Sequence, residues 1–209
     1  KVSAGRPARA DRGGSIKVAT GNESNNMTEQ DILNLISEDK WMMDILRIAE
    51  KLDLLDWVIG AGFVRNKVWG YLHGYRTRTP LRDIDVIYFD INKTDGKQEL
   101  VYQRILKKLY NNVNWSVTNQ ARMHLVNKDD PYKDSEDALS KWPETATSIA
   151  VKINDKGKLV LIAPHGIDDL INLVVRPTPI FKNKIREYKK RITGKQWKFK
   201  WSKLKVLLD

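Results

Sequence analysis

Apolar and polar residues along the chain alternate between a helical and a strand period. From Thr28, Ile32, Leu35 and Ile36 recur at helical spacing, with Thr28 placed as an N-cap. A second helix is predicted from about Glu38, with Met42, Ile45, Leu46 and Ala49 as its stripe. The run WVIGAGF (57–63) is short, apolar and ended by glycines, which predicts a buried strand breaking into a turn. Val64, Val68 and Leu72 then stand four apart, one face of a helix. DIDVIYFD (83–90) is apolar on both faces, as a central strand is. KQELVYQRILKKLY predicts an amphipathic helix, NWSVTNQ a third strand, and DPYKDSEDALSKWPE a loop with a short helix. TSIAVKINDKGKLVLIAP predicts a hairpin turning at Asp155–Gly157, and GIDDLINLVV a helix. In WKFKW, Trp197, Phe199 and Trp201 alternate with Lys198 and Lys200, the period of a strand, with the aromatics either docked on the core or open to stack bases.

Strands alternate with helices early and a hairpin comes late. The expected fold class is α/β (α+β): a mixed sheet with helices packed on it, an N-terminal helical segment and a basic C-terminal tail. Residues 1–26 lack apolar period and read as a disordered leader, or as sequence foreign to a natural start at Met27. Residues 27–209 are then one domain, with 176–209 a basic extension.

Composition narrows the chemistry. With no cysteine among 209 residues, disulfides, thiolate nucleophiles and zinc–sulfur sites are excluded, and a reducing cytoplasmic location is the expectation. No window approaches 18 consecutive apolar residues, and no apolar leader precedes the first helix, so no membrane role is expected. The net charge of +11 is concentrated at one end: residues 176–209 hold 12 Lys/Arg against two acids. That polarity suits a polyanionic partner, or else a solvated surface.

Two stretches carry candidate chemistry. Asp83 and Asp85 stand at i and i+2, so on a strand their carboxylates share a face, with α-carbons about 6.5–7 Å apart. Unpaired, each raises the other's pKa; a divalent cation offsets the repulsion, and oxygen ligands favour Mg²⁺ or Mn²⁺. Such a pair suits two-metal phosphoryl or nucleotidyl transfer, or more simply caps the turn after TRTPLR. Gly60, Ala61 and Gly62 end a strand and open a helix, where free N–H groups and the helix dipole favour phosphate. The same glycines also suit a plain tight turn, and neither a P-loop nor a complete dinucleotide fingerprint follows. Arg65 and Asn66 in the first helical turn are placed to contact phosphate or sugar. Asn119, Arg122 and His124, within NQARMH, stand just past a strand end, where they could contact substrate or tie down the loop. His73, His124 and His165 lack metal-ligand spacing and read as structural.

Together, a strand, a glycine turn, a helix and a second strand headed by Asp-hydrophobic-Asp resemble the core of the DNA polymerase β-like nucleotidyltransferase superfamily. The chain is most similar to its small bacterial nucleotidyltransferase-like branch. GAGFVRNKVWGYLHGY, LRDIDVIYFD, NQARMH (119–124), WPETAT (142–147), APHGIDDLINLVVRP (163–177) and YKKRITGKQW (188–197) carry the likeness, over roughly Met27 to the C-terminus. The resemblance implies a metal-binding pair at Asp83 and Asp85 and nucleotide phosphate binding around Gly60 and Gly62. Two departures stand out. Twenty-two residues lie between Gly60 and Asp83, longer than the superfamily's compact spacing. The third strand also lacks the acid that the superfamily often places there, leaving Asn119 or Glu144 as stand-ins and Asp168 and Asp169 as further candidates.

The expected function is a metal-dependent nucleotidyltransferase that moves a nucleoside monophosphate from an NTP to an unidentified acceptor hydroxyl and releases pyrophosphate. The acceptor could be nucleic acid or another polyanion held by the basic C-terminal segment. The alternative is a catalytically degenerate module of the same fold that binds nucleotide or RNA. A third reading is a stress or toxin–antitoxin component that nucleotidylates a protein or tRNA.

Overall fold

The structure, a computed structural model, describes residues 26–208. All but one residue of the expected leader therefore lie outside the described residues. The first helix, α1 (Glu29–Ser37), starts where the sequence places it. The Thr28 side chain accepts from the Asp31 N–H, and the Asp31 carboxylate accepts from the Thr28 N–H, a capping box that satisfies two donors at the helix end. Asp39 caps α2 (Lys40–Glu50), which buries Met42, Ile45, Leu46 and Ala49.

The sheet starts with β1 (Val58–Gly60), which breaks at Ala61 into α3 (Gly62–Leu72). Next come β2 (Ile84–Tyr88), α4 (Gly96–Leu109) and β3 (Trp115–Asn119). A 3-10 turn (Gln120–Arg122) leads into α5 (Met123–Asn127) and α6 (Ser135–Ser140). The hairpin is β4 (Ala150–Ile153) and β5 (Leu159–Ile162), with Gly157 at φ 69 in its turn. Strand order is β3-β2-β1-β4-β5. β2 runs parallel to β3, and the other neighbours are antiparallel. The end of β1, the start of β2 and the start of β3 consequently lie at one end of the sheet. That shared end positions the candidate site.

Parity along β2 separates two environments. Ile84, Val86 and Tyr88 join the main core, together with Trp115 and Val117 of β3 and the buried faces of α1, α2 and α3. Ile87 faces the other way and packs with Val58, Leu139 and Ala150. Asp85 shares the parity of Ile87, so it stands off the main core at the open end of that second face.

Two segments differ from the sequence expectation. GIDDLINLVV forms only a short helix, α7 (Asp168–Ile171). Leu173 turns at φ 58, and β6 (Val174–Val175) follows, pairing in parallel with β7 (Lys205–Val206). β-branched valines favour that strand once the turn has ended the helix. The basic segment is built of helices α8 (Pro179–Asn183), α9 (Ile185–Lys195) and α10 (Trp197–Lys200). The period of two in WKFKW is therefore not a strand. Trp197 and Trp201, four apart, turn to one side and bury against Trp69 with ring centroids 5.6 and 5.1 Å away, edge to face, while Phe199 is 90% exposed. Each such aromatic pair contributes about 0.5–1.5 kcal/mol beyond its area. The main core runs on through Trp197, Trp201 and Leu204, so the basic segment folds back onto the sheet-and-helix body.

Candidate functional site

Asp83 immediately precedes β2 and Asp85 lies within it, both partly exposed. Neither makes a salt bridge among the described residues. Burial, reinforced by the Asp83 charge, pushes the Asp85 carboxyl above its ordinary pKa, opposed by a hydrogen bond from the Ser116 hydroxyl and by the Lys195 and Arg65 charges. Ser116 stands directly beside Asp85 in the parallel register of β2 and β3. On β1, Ile59 pairs with Val86, so one step further sets Gly60 alongside Asp85. The glycine turn and the carboxylate pair therefore meet at the same end of the sheet.

The turn carries its strain in an unexpected place. Neither Gly60 nor Gly62 has a positive φ; Ala61 does, at φ 51 and ψ −117, a region that glycine dominates. Backbone held this way by a residue with a Cβ marks an over-determined position. The Ala61 N–H donates to the Ile149 carbonyl at 2.9 Å, and the Ala61 carbonyl accepts from the Arg65 N–H at 3.0 Å. Gly60 is required for space: a Cβ there would lie 3.0 Å from the Trp142 ring. A Cβ on Gly62 would point at the Arg65 guanidinium, 3.5 Å away, so its absence opens the approach to that cation.

Arg65 is 8% exposed. Its guanidinium lies 5.1 Å from the Trp69 ring centroid and 4.6 Å from that of Trp197, and its Nε and Nη2 donate to Asn66 Oδ1 at 3.2 and 2.9 Å. Burial lowers its pKa to about 10, against the opposing charges of Glu144, Asp85 and Asp83. It is a buried cation with no carboxylate bonded to it among the described residues, held at the first turn of α3.

Sequence reading placed the basic segment apart from this site, but α9 brings two cations to it. Arg191 Nε donates to Glu144 Oε1 at 2.5 Å, and Thr147 Oγ1 donates to Glu144 Oε2 at 2.7 Å. Glu144, considered as a third acid, is thus fully buried and engaged as the anchor of α9. One helical turn on, burial and the Arg191 and Arg65 charges push the Lys195 ammonium below its ordinary pKa, with Glu144 and Asp83 opposing. A reading of residues 176–209 as a tail misses Arg191 and Lys195, whose partners lie far away in sequence. The spacing of Tyr188, Arg191, Ile192 and Lys195 was the helical signal available.

Asn119, Arg122 and His124 are not brought to the pair. Asn119 is opposite Tyr88, three residues beyond the Asp85–Ser116 pair, or about 10 Å along the strands. Its side chain accepts from the Asp90 and Ala121 N–H groups and donates to the Asp90 and Lys93 carbonyls. Arg122 is clasped at 2.8 and 2.6 Å by the two oxygens of Glu99. His124 Nδ1 lies 3.0 Å from the Ala121 carbonyl. These groups organise the loop after β3. His73 and His165 likewise bond backbone carbonyls, of Trp69 and Ser140. Asp169 accepts from Thr145 and pairs with Arg176. Among the described residues no cluster of three or more acids or histidines forms that could hold a metal, so Asp83 and Asp85 stand as a pair.

A sequence profile for a family described as Nucleotidyltransferase matches residues 47–206. The chain belongs to that family. The match takes in the glycine turn, the carboxylate pair and the folded-back basic segment. A protein whose NMR structure reveals a CCA-adding enzyme head domain is 33% identical, with a TM-score of 0.78 over 88% of this chain and 99% of its own. More distant are the Thermotoga maritima CCA-adding enzyme complexed with tRNA (16% identity, TM-score 0.54) and a CCA-adding enzyme with CTP (15%, 0.52). Each overlaps 84% of this chain, which spans only 42% and 43% of those enzymes, and at such identities the likeness is one of fold. No curated protein sequence matches the chain. The five-stranded mixed sheet with its packed helices is the nucleotidyltransferase head fold. No helix among the described residues is long and apolar enough to cross a membrane.

Proposed function

We propose that this nucleotidyltransferase moves a nucleoside monophosphate from an NTP to an acceptor hydroxyl and releases pyrophosphate, at a site built on Asp83, Asp85 and the Gly60–Gly62 turn. The observation that carries the reading is the carboxylate pair itself. Two acids stand together and no ion pair balances them among the described residues, so burial and the Asp83 charge hold Asp85 above its ordinary pKa. Oxygen donors in that state fit a divalent cation, Mg²⁺ or Mn²⁺, and Asp83 and Asp85 would hold it. When bound, the cation supplies charge neutralisation at the reacting phosphate.

The chain's own groups do the rest. N–H groups at the start of α3 present the positive end of the helix to phosphate, and Gly62 leaves room for it beside Arg65. Arg65 and Lys195, neither carboxylate-paired among the described residues, stand ready to bind the triphosphate charge. The Trp69 and Trp197 rings hold the Arg65 guanidinium in place before substrate arrives, so little reorganisation is needed. The acceptor hydroxyl oxygen forms its bond to the α-phosphorus as the bond to the bridging oxygen breaks; its proton passes to solvent and pyrophosphate leaves. Kinship with CCA-adding enzymes that bind CTP and tRNA supports an NTP donor and a nucleic acid acceptor. A cytoplasmic site of action belongs to the same reading and rests on the cysteine-free composition.

A second reading, a nucleotide- or RNA-binding module without catalysis, is favoured by one observation. Beside Asp85, where a third acid on β3 would stand, the register puts Ser116. Calorimetry with Mg²⁺ and a non-hydrolysable NTP, on wild type and Asp83→Asn/Asp85→Asn, tests the proposal. Metal-dependent NTP binding that vanishes in the double variant supports it. Equal NTP binding by both proteins without metal supports the module. Release of labelled pyrophosphate in the presence of RNA then separates catalysis from binding.

A further inference from the structure

Gly60 has no side chain, and a tryptophan fills the place where one would stand. On β1, Val58 and Gly60 share a parity, and Val58 faces Leu139 and Ala150; on β2, Asp85 and Ile87 share the parity that meets the same cluster. Continued one step, the register of β1 on β2 sets Gly60 opposite Asp85. Antiparallel neighbours of this kind hold their Cβ positions about 4.5–5.5 Å apart. Trp142 Cη2 and Cζ3, the tip of the six-membered ring, lie 3.0 and 3.3 Å from the Cβ that a side chain at Gly60 would add. Trp142 therefore stands on the first residue of the glycine turn, on the face of the sheet that carries Asp85.

Packing accounts for part of this ring. It leans on the cluster of Val58, Ile87, Leu139 and Ala150, yet is only partly buried. A tryptophan placed for packing ordinarily gives its indole N–H a partner. Trp69 and Trp115 do so, donating to the Leu170 and Tyr110 carbonyls. The Trp142 indole N–H makes no hydrogen bond among the described residues and is not sealed from solvent. Trp69 and Trp197, near the site, are buried and already carry the Arg65 guanidinium on their rings. Trp142 thus offers open aromatic surface beside the carboxylate pair.

The ring is also set in advance. The Trp142 N–H donates to the Leu139 carbonyl at 3.1 Å, and the Trp142 carbonyl accepts from the Thr178 hydroxyl at 2.7 Å. The Pro143 carbonyl accepts from the Thr178 N–H at 3.1 Å, and Thr178 is itself fully buried. A rigid aromatic on a fixed backbone loses little freedom when a ligand settles on it. In the proposed function the glycine turn takes the triphosphate, and the base belongs to the same molecule, so a ring standing on Gly60 meets the donor. We propose that Trp142 is the platform on which the nucleobase of the bound nucleotide stacks. The inference rests on the nucleotide site of the proposed function, but does not require that transfer follows.

Calorimetry with and without Mg²⁺ compares a non-hydrolysable ATP analogue with inorganic tripolyphosphate, on wild type, Trp142→Leu and Trp142→Phe. Tripolyphosphate carries the charge of the nucleotide without its base. Trp142→Leu should weaken the analogue roughly 5- to 150-fold, the loss that removing a stacked aromatic brings, and leave tripolyphosphate binding as in wild type. Trp142→Phe keeps a π-face and should recover most of that loss. Equal weakening of both ligands overturns the platform, because a turn displaced by lost packing would affect phosphate and base alike. Unchanged affinity of Trp142→Leu for the analogue overturns it too. Should Trp142→Leu fail to fold, tryptophan fluorescence of wild type and Trp142→Phe decides. The analogue should quench wild type more than the phenylalanine variant, and equal quenching overturns the proposal. Base-dependent binding that needs Trp142 but no metal sinks the transfer reading and leaves the platform standing. Metal-dependent binding indifferent to Trp142 does the reverse, and no binding of the analogue to wild type overturns both.

Discussion

Arg191→Met tests whether the basic segment is latched to the body by one buried ion pair. Glu144 is 0% exposed and the Arg191 side chain 36%. Arg191 Nε and Nη2 donate to the two carboxylate oxygens at 2.5 and 3.4 Å, and Thr147 supplies a further hydrogen bond at 2.7 Å. Removing one partner of a buried pair strands the other charge and costs about 3–5 kcal/mol. Here a third of the arginine is already in water and Thr147 remains, which argues for a cost at or just below the bottom of that range, about 2–3 kcal/mol. Urea unfolding followed by tryptophan fluorescence measures the loss. Glu144→Gln/Arg191→Met removes both charges, and a buried pair replaced by neutral groups is close to neutral in cost. The double variant should therefore recover at least half of what the single variant loses. A single-variant loss under about 0.5 kcal/mol, or a double variant no better than the single, would falsify the latch. Both variants should weaken NTP binding, because α9 carries Lys195 and leads into the Trp197 ring over Arg65.

Asp85→Asn should raise the melting temperature of the metal-free protein at pH 7. The folded carboxyl is raised above its unfolded value of 3.8, so its stability contribution is lost as pH rises through the folded pKa. Melts at pH 7 should show the gain and melts below about pH 3.8 should not; an asparagine variant less stable at both sinks the argument. His73 shifts the opposite way. Its burial lowers the pKa below 6.5, Nδ1 faces the Trp69 carbonyl and Nε2 accepts from the Lys203 N–H at 3.2 Å. Stability from this contact is present above pH 6.5 and lost as pH falls through the folded pKa, so exchange of the Lys203 amide should quicken on acidification, and no change would count against it. Gly60→Ala should cost about 1–3 kcal/mol in urea because its Cβ meets the Trp142 ring at 3.0 Å. Ala61→Gly should be neutral or stabilising, where glycine for alanine ordinarily costs about 0.5–1 kcal/mol, since it relieves the φ 51 backbone. A normal loss there would mean that the turn is unstrained.

What was legible in the chain was local. The parity of Asp83 and Asp85 on a strand, the capping box at Thr28 and the glycines between β1 and α3 depend on neighbours within a few residues, and each stands where periodicity puts it. What was not legible depended on contacts far apart in sequence. In WKFKW the period of two and the four-residue spacing of Trp197 and Trp201 are both present. Only burial against Trp69, more than a hundred residues earlier, selects the helix. Arg191 looked like one charge among twelve until its partner at Glu144 was visible. Counting glycines also misplaced the strain, because the turn puts its positive φ on the alanine between them.

The long spacing before Asp83 looks, in sequence, like a weakness in the resemblance. In space, residues 73–83 lead from α3 to β2: Arg78 stacks on Trp41 and pairs with Asp39, and the Pro80 carbonyl accepts from Lys200. A compact connection would bring the chain straight from α3 to β2 and forgo these ties to α2 and α10. The longer segment keeps the carboxylate pair at the sheet end common to the fold and packs beside the glycine turn, where a Cβ on Gly62 would lie 3.4 Å from Leu81. The spacing that departs most from the superfamily therefore braces the glycine turn against α2 and the basic segment. Shortening residues 74–79 should then lower stability in urea and weaken NTP binding together, and NTP binding at wild-type strength would show that the segment does not brace the turn.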